Sequence, residues 1–141
     1  MEKSNKINNL HPEKCTEDII RDNAKVILGF DAVEKGIEQG TGQLTAFNQI
    51  GFEKNSYKPD GWYLPKDKSK PAIILETKAG KYDLYDKRWE KELLKNIDVI
   101  SKRYKQTIGI LYNGNEVRVF HNKIELENVS KKLEHKSYYL K

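Results

Sequence analysis

The sequence has few of the residues that build disulfide, zinc or membrane-spanning structures. Its 141 residues include one cysteine, Cys15, which excludes an internal disulfide and is typical of a protein in a reducing cytoplasm. The histidines at 11, 121 and 135 lie far apart and lack the spacing of zinc ligands. No apolar run approaches the length of a membrane span, and the N-terminus lacks the apolar region of a signal peptide. We therefore expect a cytoplasmic protein without a membrane partner.

The remaining composition describes one charged domain. A chain of 141 residues suits a single domain and is long enough to bury a core. Lysine and arginine number 26 against 21 acidic residues, which gives a net charge of +5 and a sequence pI near 9.1. This modest excess of positive charge favours polyanions in general and does not select one of them.

The stretch from Pro59 to Lys78 (PDGWYLPKDKSKPAIILETK) carries the strongest pattern in the sequence. Its second half, Ala72–Lys78, begins with a short apolar run bounded by a proline and a glycine, which is typical of a buried strand. Side chains alternate between the two faces of a strand, so Ile74, Glu76 and Lys78 share one face. A carboxylate and an ammonium group thus lie side by side at the end of an apolar strand, where burial is unfavourable unless each has a partner.

A hairpin is predicted around this strand. The polar segment Pro65–Pro71 lets the chain turn back, so Trp62–Leu64 can pair with Ala72–Leu75 in antiparallel fashion. Asp60 would then approach Glu76 across the hairpin. Two converging carboxylates repel each other unless a cation lies between them, and Mg²⁺ suits such a site because it prefers oxygen ligands and binds phosphates.

Lys78 adds a positive charge beside this predicted metal site. An ammonium group there can orient or activate a water and stabilise negative charge that develops on a phosphate. Metal, lysine and water together indicate hydrolysis of a phosphodiester.

Pro59-Asp60, a gap of 15 residues and then Glu76-Thr77-Lys78 at the end of an apolar strand resemble the motif of the PD-(D/E)xK nuclease superfamily. The resemblance implies an α/β fold with a restriction-endonuclease-like core, in which helices flank a mixed central sheet. It also implies a hydrolase, a magnesium-dependent endonuclease that binds DNA and cleaves its phosphodiester bonds. In that reaction Asp60 and Glu76 hold Mg²⁺ or Mn²⁺, with the Thr77 carbonyl as a third ligand. Lys78 then positions the water or neutralises the developing charge.

A further catalytic carboxylate is expected on the first helix. Thr16 can cap a helix over roughly Glu17–Lys35. Nucleases of the superfamily often carry an acidic residue on this helix that faces the metal. Glu17, near the start of the helix, is the candidate, and Glu34 and Glu38 are alternatives. Each of the three is equally compatible with a solvated side chain or with one that pairs with the helix dipole.

The elements around the motif complete the expected core. Gly36–Gly42 contains three glycines and is predicted to form a loop. A helix is predicted over roughly Asp86–Tyr104 and a strand over Thr107–Tyr112, which implies a parallel crossover from the motif strand. Asn113-Gly114 is a hairpin signal before a further strand, Glu116–Phe120.

Basic and aromatic residues are interleaved between the motif and the second helix. They are Lys81, Tyr82, Tyr85, Lys87, Arg88 and Trp89. Such a segment suits contacts with the backbone and bases of a nucleic acid. It equally suits a charged helix start whose aromatic side chains pack on the sheet, and we expect this second arrangement for Trp89.

Within the superfamily, the chain looks most like the N-terminal nuclease domains of type I restriction motor subunits and of single-chain restriction–modification enzymes. The similarity includes PDG, ETK, the amphipathic helix and the turn in TIGILYNGNEVRVF. Those domains often carry a Gln-xxx-Tyr pair on the helix after the lysine. In this chain the equivalent stretch, from Glu92 to Asn96, has neither residue, so the chain departs from the type I pattern there.

The resemblance predicts three segments and a role in restriction. Residues 1–15 are expected to be a flexible N-terminal segment, 16–127 the nuclease domain, and 128–141 a C-terminal helix or linker. The ending EHKSYYLK resembles a domain cut from a longer polypeptide, so a helicase or methyltransferase module or subunit is expected downstream. Three other interpretations are a catalytically silent nucleic-acid-binding domain, an interaction domain of a larger restriction or repair assembly, and a repair or recombination nuclease with the same chemistry.

Overall fold

The computed structural model describes residues 15–29, 37–41, 59–128 and 131–132. These residues contain two helices, α1 (Glu17–Ile27) and α2 (Lys87–Ile100). They also contain seven strands. The strands are β1 (Ile37–Thr41), β2 (Gly61–Pro65), β3 (Ala72–Thr77), β4 (Thr107–Tyr112), β5 (Glu116–His121), β6 (Ile124–Glu125) and β7 (Lys131–Lys132).

All of these strands belong to one mixed sheet, which confirms the predicted α/β class. The strand order is β1-β2-β3-β4-β5-β6, and β7 also pairs with β5. Strands β3 and β4 are parallel, whereas the other pairs are antiparallel. Because α2 connects the two parallel strands in sequence, the predicted crossover from the motif strand is confirmed.

Helix α1 begins where the sequence predicts and ends earlier. The Thr16 hydroxyl caps it by accepting a hydrogen bond from the Ile19 backbone N–H at 3.4 Å. The prediction that the helix continues to Lys35 is wrong, because α1 ends at Ile27. Gly29 follows with a φ of +78°, a left-handed conformation that glycine adopts readily just beyond a helix and that breaks the helical path.

The loop predicted over Gly36–Gly42 is also wrong in part. Residues Ile37–Thr41 form β1, which pairs with β2 and is the first strand in the sheet order. Glycine content suggested a loop, but the ladder is made by backbone N–H and C=O groups, which glycine retains. Among the described residues β1 pairs with β2 alone, so its sequence has one neighbouring strand to match there.

The hairpin predicted around the motif is confirmed. Strands β2 and β3 are antiparallel, and Trp62 pairs with Ile74. If the same register is continued beyond the start of β2, Asp60 lies opposite Glu76. The apolar run before the triplet is therefore a central strand, with β2 on one side and β4 on the other.

The sheet buries one apolar cluster on each face. Buried residues on the α2 face are Trp62, Leu64, Ala72, Ile74, Leu84, Leu93, Ile97, Ile100, Tyr104, Leu111 and Phe120. Those on the α1 face are Cys15, Ile20, Ala24, Leu75 and Tyr112. Ile74 and Leu75 are adjacent in β3 and contribute to opposite clusters, as the alternation of a strand requires.

Helix α2, predicted over roughly Asp86–Tyr104, packs on the sheet through an apolar stripe. Leu93, Ile97 and Ile100 are buried, and so is Tyr104, which lies just beyond the helix because α2 ends at Ile100. A Cβ atom at Gly109 of β4 would lie 2.8 Å from Ile97 Cδ1. The absence of a side chain at Gly109 thus lets the helix approach β4 closely.

The turn predicted at Asn113-Gly114 connects β4 to β5, and Gly114 has a φ of +87°. Asn113 Oδ1 accepts hydrogen bonds from the backbone N–H groups of Asn115 and Glu116, at 2.9 and 2.7 Å. Its Nδ2 donates to the Tyr82 carbonyl at 2.7 Å. This one side chain therefore fixes the hairpin turn and ties it to the segment after the motif.

The C-terminal part departs from the expected helix beginning at Asn128. Lys131–Lys132 forms β7, antiparallel to β5, because the side of β5 away from β4 offers unpaired backbone groups. Neither helix in the described part of the chain combines the length and apolar character that crossing a membrane requires.

We predict that Asn113→Ala lowers the free energy of unfolding by roughly 2–3 kcal/mol, because partly buried N–H groups lose their acceptor. Asn113 is only 1% exposed, so water replaces the lost carbonyl poorly. Urea denaturation should show a lower midpoint with an unchanged m-value. Asn128→Ala, at an exposed position, is the matched control and should leave the midpoint in place. Equal midpoints for the two variants would contradict this role of Asn113.

Candidate functional site

The Glu-Thr-Lys triplet lies at the C-terminal end of β3. Glu76 and Thr77 end the strand and Lys78 follows it. The three residues are 4%, 0% and 8% exposed, respectively. The Lys78 backbone N–H donates to the Tyr112 carbonyl at 3.0 Å, which keeps the lysine beside the end of β4. Both charged side chains are thus buried, and each needs a partner.

Asp60 lies across the hairpin from the triplet. Its backbone N–H donates to the Leu75 carbonyl at 2.8 Å. Its Oδ2 accepts two hydrogen bonds from Thr77, one from the backbone N–H at 2.7 Å and one from Oγ1 at 2.9 Å. Thr77, which we predicted to offer its carbonyl to a metal, therefore also fixes the Asp60 carboxylate.

Lys78 has two partners on helix α2. Its ammonium group donates to Glu92 Oε1 at 2.6 Å and lies 4.3 Å from the centre of the Trp89 ring. Burial opposes the charge of this lysine, but the hydrogen bond and the charge of Glu92 raise its pKa above the ordinary value. Lys78 is consequently a cation at neutral pH, which suits charge stabilisation better than proton abstraction.

Glu76 also has a partner on α2. The side-chain amide of Asn96, a fully buried residue, donates to Glu76 Oε2 at 2.5 Å. Glu92 and Asn96 are four residues apart, so they lie on the same face of the helix, over the end of β3. Sequence reasoning missed both residues. Their i, i+4 spacing could have indicated this role, because it places both on one face of the helix that follows the charged residues Glu76 and Lys78.

Glu17, the candidate fourth carboxylate, lies near the motif. It is half-buried in the first turn of α1. Burial raises the pKa of this carboxyl, the negative charge of Asp60 raises it further, and Lys78 partly offsets both effects. The charge of Glu17 therefore interacts with the charges of Asp60 and Lys78.

Arg21, one turn after Glu17, is a site residue that the sequence analysis did not anticipate. Its Nη1 lies 3.6 Å from Asp60 Oδ1, and its Nη2 donates to Asp18 at 2.6 Å. Of the two alternatives to Glu17, Glu34 lies outside the described residues. Glu38 belongs to β1 and pairs in register with β2.

Negative charge dominates this group of side chains. Burial raises the pKa of Glu76 well above its ordinary value, and the charges of Asp60 and Glu92 raise it further, against a smaller lowering by Lys78. Four carboxylates interact here and two cationic side chains oppose them. The carboxylates are Glu17, Asp60, Glu76 and Glu92, and the cations are Arg21 and Lys78. A divalent cation among them would relieve the remaining repulsion.

The donor set suits Mg²⁺ held by few protein ligands. Asp60 and Glu76 offer hard oxygen atoms, and Mg²⁺ is commonly bound by one or two carboxylates, with waters and substrate phosphates as its other ligands. Across residues 15–29 and 59–128, no three His, Cys, Asp or Glu side chains are arranged to hold a metal together.

In the basic and aromatic segment after the motif, Trp89 packs on its neighbours and the other five residues are exposed. Trp89 is half-buried and meets Tyr82 edge to face, with ring centroids 5.4 Å apart. This confirms the packing expected for Trp89. Arg88 pairs with Asp86, the cap of α2, at 2.8 Å. Contacts between this segment and a nucleic acid remain a prediction.

Comparison with models of protein families, with curated proteins and with solved structures finds no match to this chain. Any statement about its activity therefore depends on the geometry of the site and on the chemistry of the residues there.

We predict that Glu76→Gln raises the melting temperature of the metal-free protein at neutral pH by a few degrees, because it removes a buried charge and keeps an acceptor for Asn96. Between the ordinary pKa of 4.5 and the raised one, the folded state alone holds the proton. The free energy of unfolding of the wild type therefore falls as pH rises through that window, and the variant loses this dependence.

Thermal melts in EDTA over a pH series measure this effect. Glu127→Gln, at an exposed position, is the control for the loss of one negative charge. A melting temperature for Glu76→Gln at or below that of the wild type throughout the series would contradict the electrostatic account.

Proposed function

We propose that this chain is the nuclease domain of a restriction enzyme, a Mg²⁺-dependent endodeoxyribonuclease of the PD-(D/E)xK superfamily that hydrolyses phosphodiester bonds in DNA. The observation that carries the proposal is the convergence of Asp60, Glu76 and Lys78 at the end of β3. Two carboxylates that repel each other beside a charged lysine are an arrangement that binds a dication and a phosphate.

Asp60 and Glu76 would hold the metal, Mg²⁺ or Mn²⁺, with the Thr77 carbonyl as the third protein ligand. Each carboxylate accepts hydrogen bonds at one oxygen, from Thr77 at Asp60 Oδ2 and from Asn96 at Glu76 Oε2. The other oxygen of each is our candidate ligand atom, and for Asp60 this is Oδ1, which lies 3.6 Å from Arg21 Nη1. The bound ion would supply polarisation of the phosphate and a lowered pKa for a coordinated water.

Lys78 would stabilise the negative charge that develops on the phosphate. Its raised pKa keeps it protonated, and Glu92 and Trp89 hold its ammonium group at the end of the strand. Such a preorganised cation in a site with little water is worth more than the same charge in solvent. Glu17 would add negative charge at the rim and favour the dication over a monovalent one.

The fold is consistent with assignment of the domain to the restriction-endonuclease-like class. An antiparallel hairpin, a motif strand at the centre of a mixed sheet and a parallel crossover through α2 are the arrangement expected of a restriction-endonuclease-like core. In this proposal the domain acts in the cytoplasm. A helicase or methyltransferase module or subunit supplies the sequence recognition that the described residues do not offer.

A second candidate is a nucleic-acid-binding or interaction domain on the same fold that does not catalyse hydrolysis. It is favoured by the fact that the key groups already have protein partners. Glu92 pairs with Lys78, Thr77 holds Asp60, and Asn96 holds Glu76. Mg²⁺ binding without cleavage of single-stranded, duplex or supercoiled DNA would select this candidate over the first.

We predict that Lys78→Ala abolishes Mg²⁺-dependent nicking of supercoiled plasmid, because the phosphate loses its charge stabilisation. The loss should be about a hundredfold or more in rate, as for other groups that stabilise developing charge. Lys91→Ala removes an exposed lysine of α2 and is the matched control, with nicking expected near the wild-type rate.

Circular dichroism and thermal melts establish that both variants fold. Cleavage by Lys78→Ala at the wild-type rate would remove the assigned role of the lysine. No cleavage by the wild type, in Mg²⁺ or Mn²⁺, would remove the nuclease proposal in favour of the second candidate.

A further inference from the structure

The end of the sheet opposite the candidate site carries a dense group of cations, which we name the basic end. Its members are Lys66, Lys68, Lys70, Lys102, Arg103, Lys105 and Lys123. All of these residues are exposed. Asp67 lies between two of these lysines in the sequence, and Asp98 of α2 pairs with Lys123. The seven cations thus outnumber these acidic neighbours, and the local charge is positive.

Contacts in the core bring these segments together. The Tyr104 hydroxyl donates to the Pro65 carbonyl at 2.6 Å, which joins the segment after α2 to the β2–β3 turn. Lys68 Nζ donates to the same hydroxyl at 3.1 Å and lies 4.5 Å from the centre of the Tyr104 ring. The Ala72 N–H donates to the Gln106 carbonyl at 3.0 Å. The cations are therefore held at one end of a rigid scaffold.

Few of the cations at the basic end are neutralised by the protein. Asp67 accepts two hydrogen bonds from Ser69, which stabilise its turn. In the described part of the chain, the group forms one ion pair, between Lys123 and Asp98. Like charges held close together without counter-charges raise the free energy of the protein unless an anion approaches them.

The basic end and the candidate site lie at opposite ends of β3 and β4. The basic end adjoins Ala72 and Thr107, where the two parallel strands begin, whereas Glu76 and Lys78 lie where β3 ends. Six residues of strand separate the two by on the order of 20 Å. The basic end is thus a separate surface from the site.

We infer that the basic end is a second contact surface for nucleic acid, which binds the phosphate backbone. The choice of nucleic acid rests on the proposed function. The candidate site itself is dominated by carboxylates, so without a metal it repels phosphates. The basic end supplies the attraction that brings a polyanion to the protein and holds it there.

The composition of the surface indicates which part of the nucleic acid it contacts. Tyr104 is buried. The exposed large apolar or aromatic residues of the described chain are Val26, Tyr82, Tyr85 and Ile124, and of these the aliphatic Ile124, next to Lys123, adjoins the basic end. A surface that has lysine and arginine side chains but no exposed aromatic rings binds phosphates and does not stack on bases. Binding should therefore be independent of sequence and strongly dependent on salt.

The test compares three double variants of the full chain that each lose two positive charges. Lys102→Gln/Lys105→Gln and Lys66→Gln/Lys70→Gln change the basic end. Lys25→Gln/Lys91→Gln changes exposed lysines on the two helices and is the control. Fluorescence anisotropy with a labelled DNA duplex, in EDTA to prevent cleavage, gives the affinity as a function of salt.

We expect each basic-end variant to bind about tenfold or more weakly at low salt, with the slope of log affinity against log salt reduced by about two. The control should keep the slope of the wild type. Equal losses in all three variants, no loss in any of them, or no binding by the wild type would overturn the inference. The inference would also be overturned if the protein bound anionic lipid vesicles more tightly than DNA and the same substitutions abolished that binding.

This readout is independent of catalysis. If the basic-end variants lose binding and the wild type never cleaves DNA, the nuclease proposal fails and the surface stands. If the wild type cleaves DNA and the basic-end variants bind as tightly as the control, the nuclease proposal stands and the inference about the basic end fails.

Discussion

The arrangement of the site depends on one energetically unfavourable feature, the burial of the Glu76 carboxyl group at the end of an apolar strand. The residue is 4% exposed, and burial together with neighbouring negative charge raises its pKa well above the ordinary value. A charge in this position is tolerated only if other groups are fixed around it. Asn96 donates a hydrogen bond to it, and the positive charge of Lys78 partly offsets the rise in its pKa. The protein therefore keeps a carboxyl group in a place where its charged form weakens the fold, which is a feature of functional sites.

The topology provides those partners without long loops. The hairpin of β2 and β3 sets Asp60 beside Thr77, and the parallel crossover carries α2 over the face of β3 that holds Glu76 and Lys78. The close approach of α2 to β4 at Gly109 fixes the helix against the sheet. The same scaffold separates charge along its length, with carboxylates where β3 ends and the basic end where it begins. An electrostatic polarity of this kind can orient a polyanion relative to the site.

Most of the core could be predicted from the sequence because its signals are local. The run AIILETK, the stripe through Leu93 and Ile97, and Asn113-Gly114 each specify one element, and all three elements form. The errors came where local signals compete with longer-range pairing. The three glycines of Gly36–Gly42 suggested a loop, yet residues Ile37–Thr41 pair with β2 and form a strand. Glu92, Asn96 and Arg21 were missed because a side chain on a helix is given its role by tertiary packing, and spacing alone does not say which charged group it will meet.

The central claim is that the carboxylates around β3 form a site for a divalent cation, and calorimetric titration of Mg²⁺ tests it most directly. The wild type should release or absorb heat with one site per chain. Asp60→Ala should lose this signal and Glu127→Gln should keep it, because Asp60 faces the triplet and Glu127 is exposed elsewhere. Equal heats in the wild type and Asp60→Ala, or no heat in either, would contradict the account. That result would leave Asp60 and Glu76 as structural partners of Thr77 and Asn96.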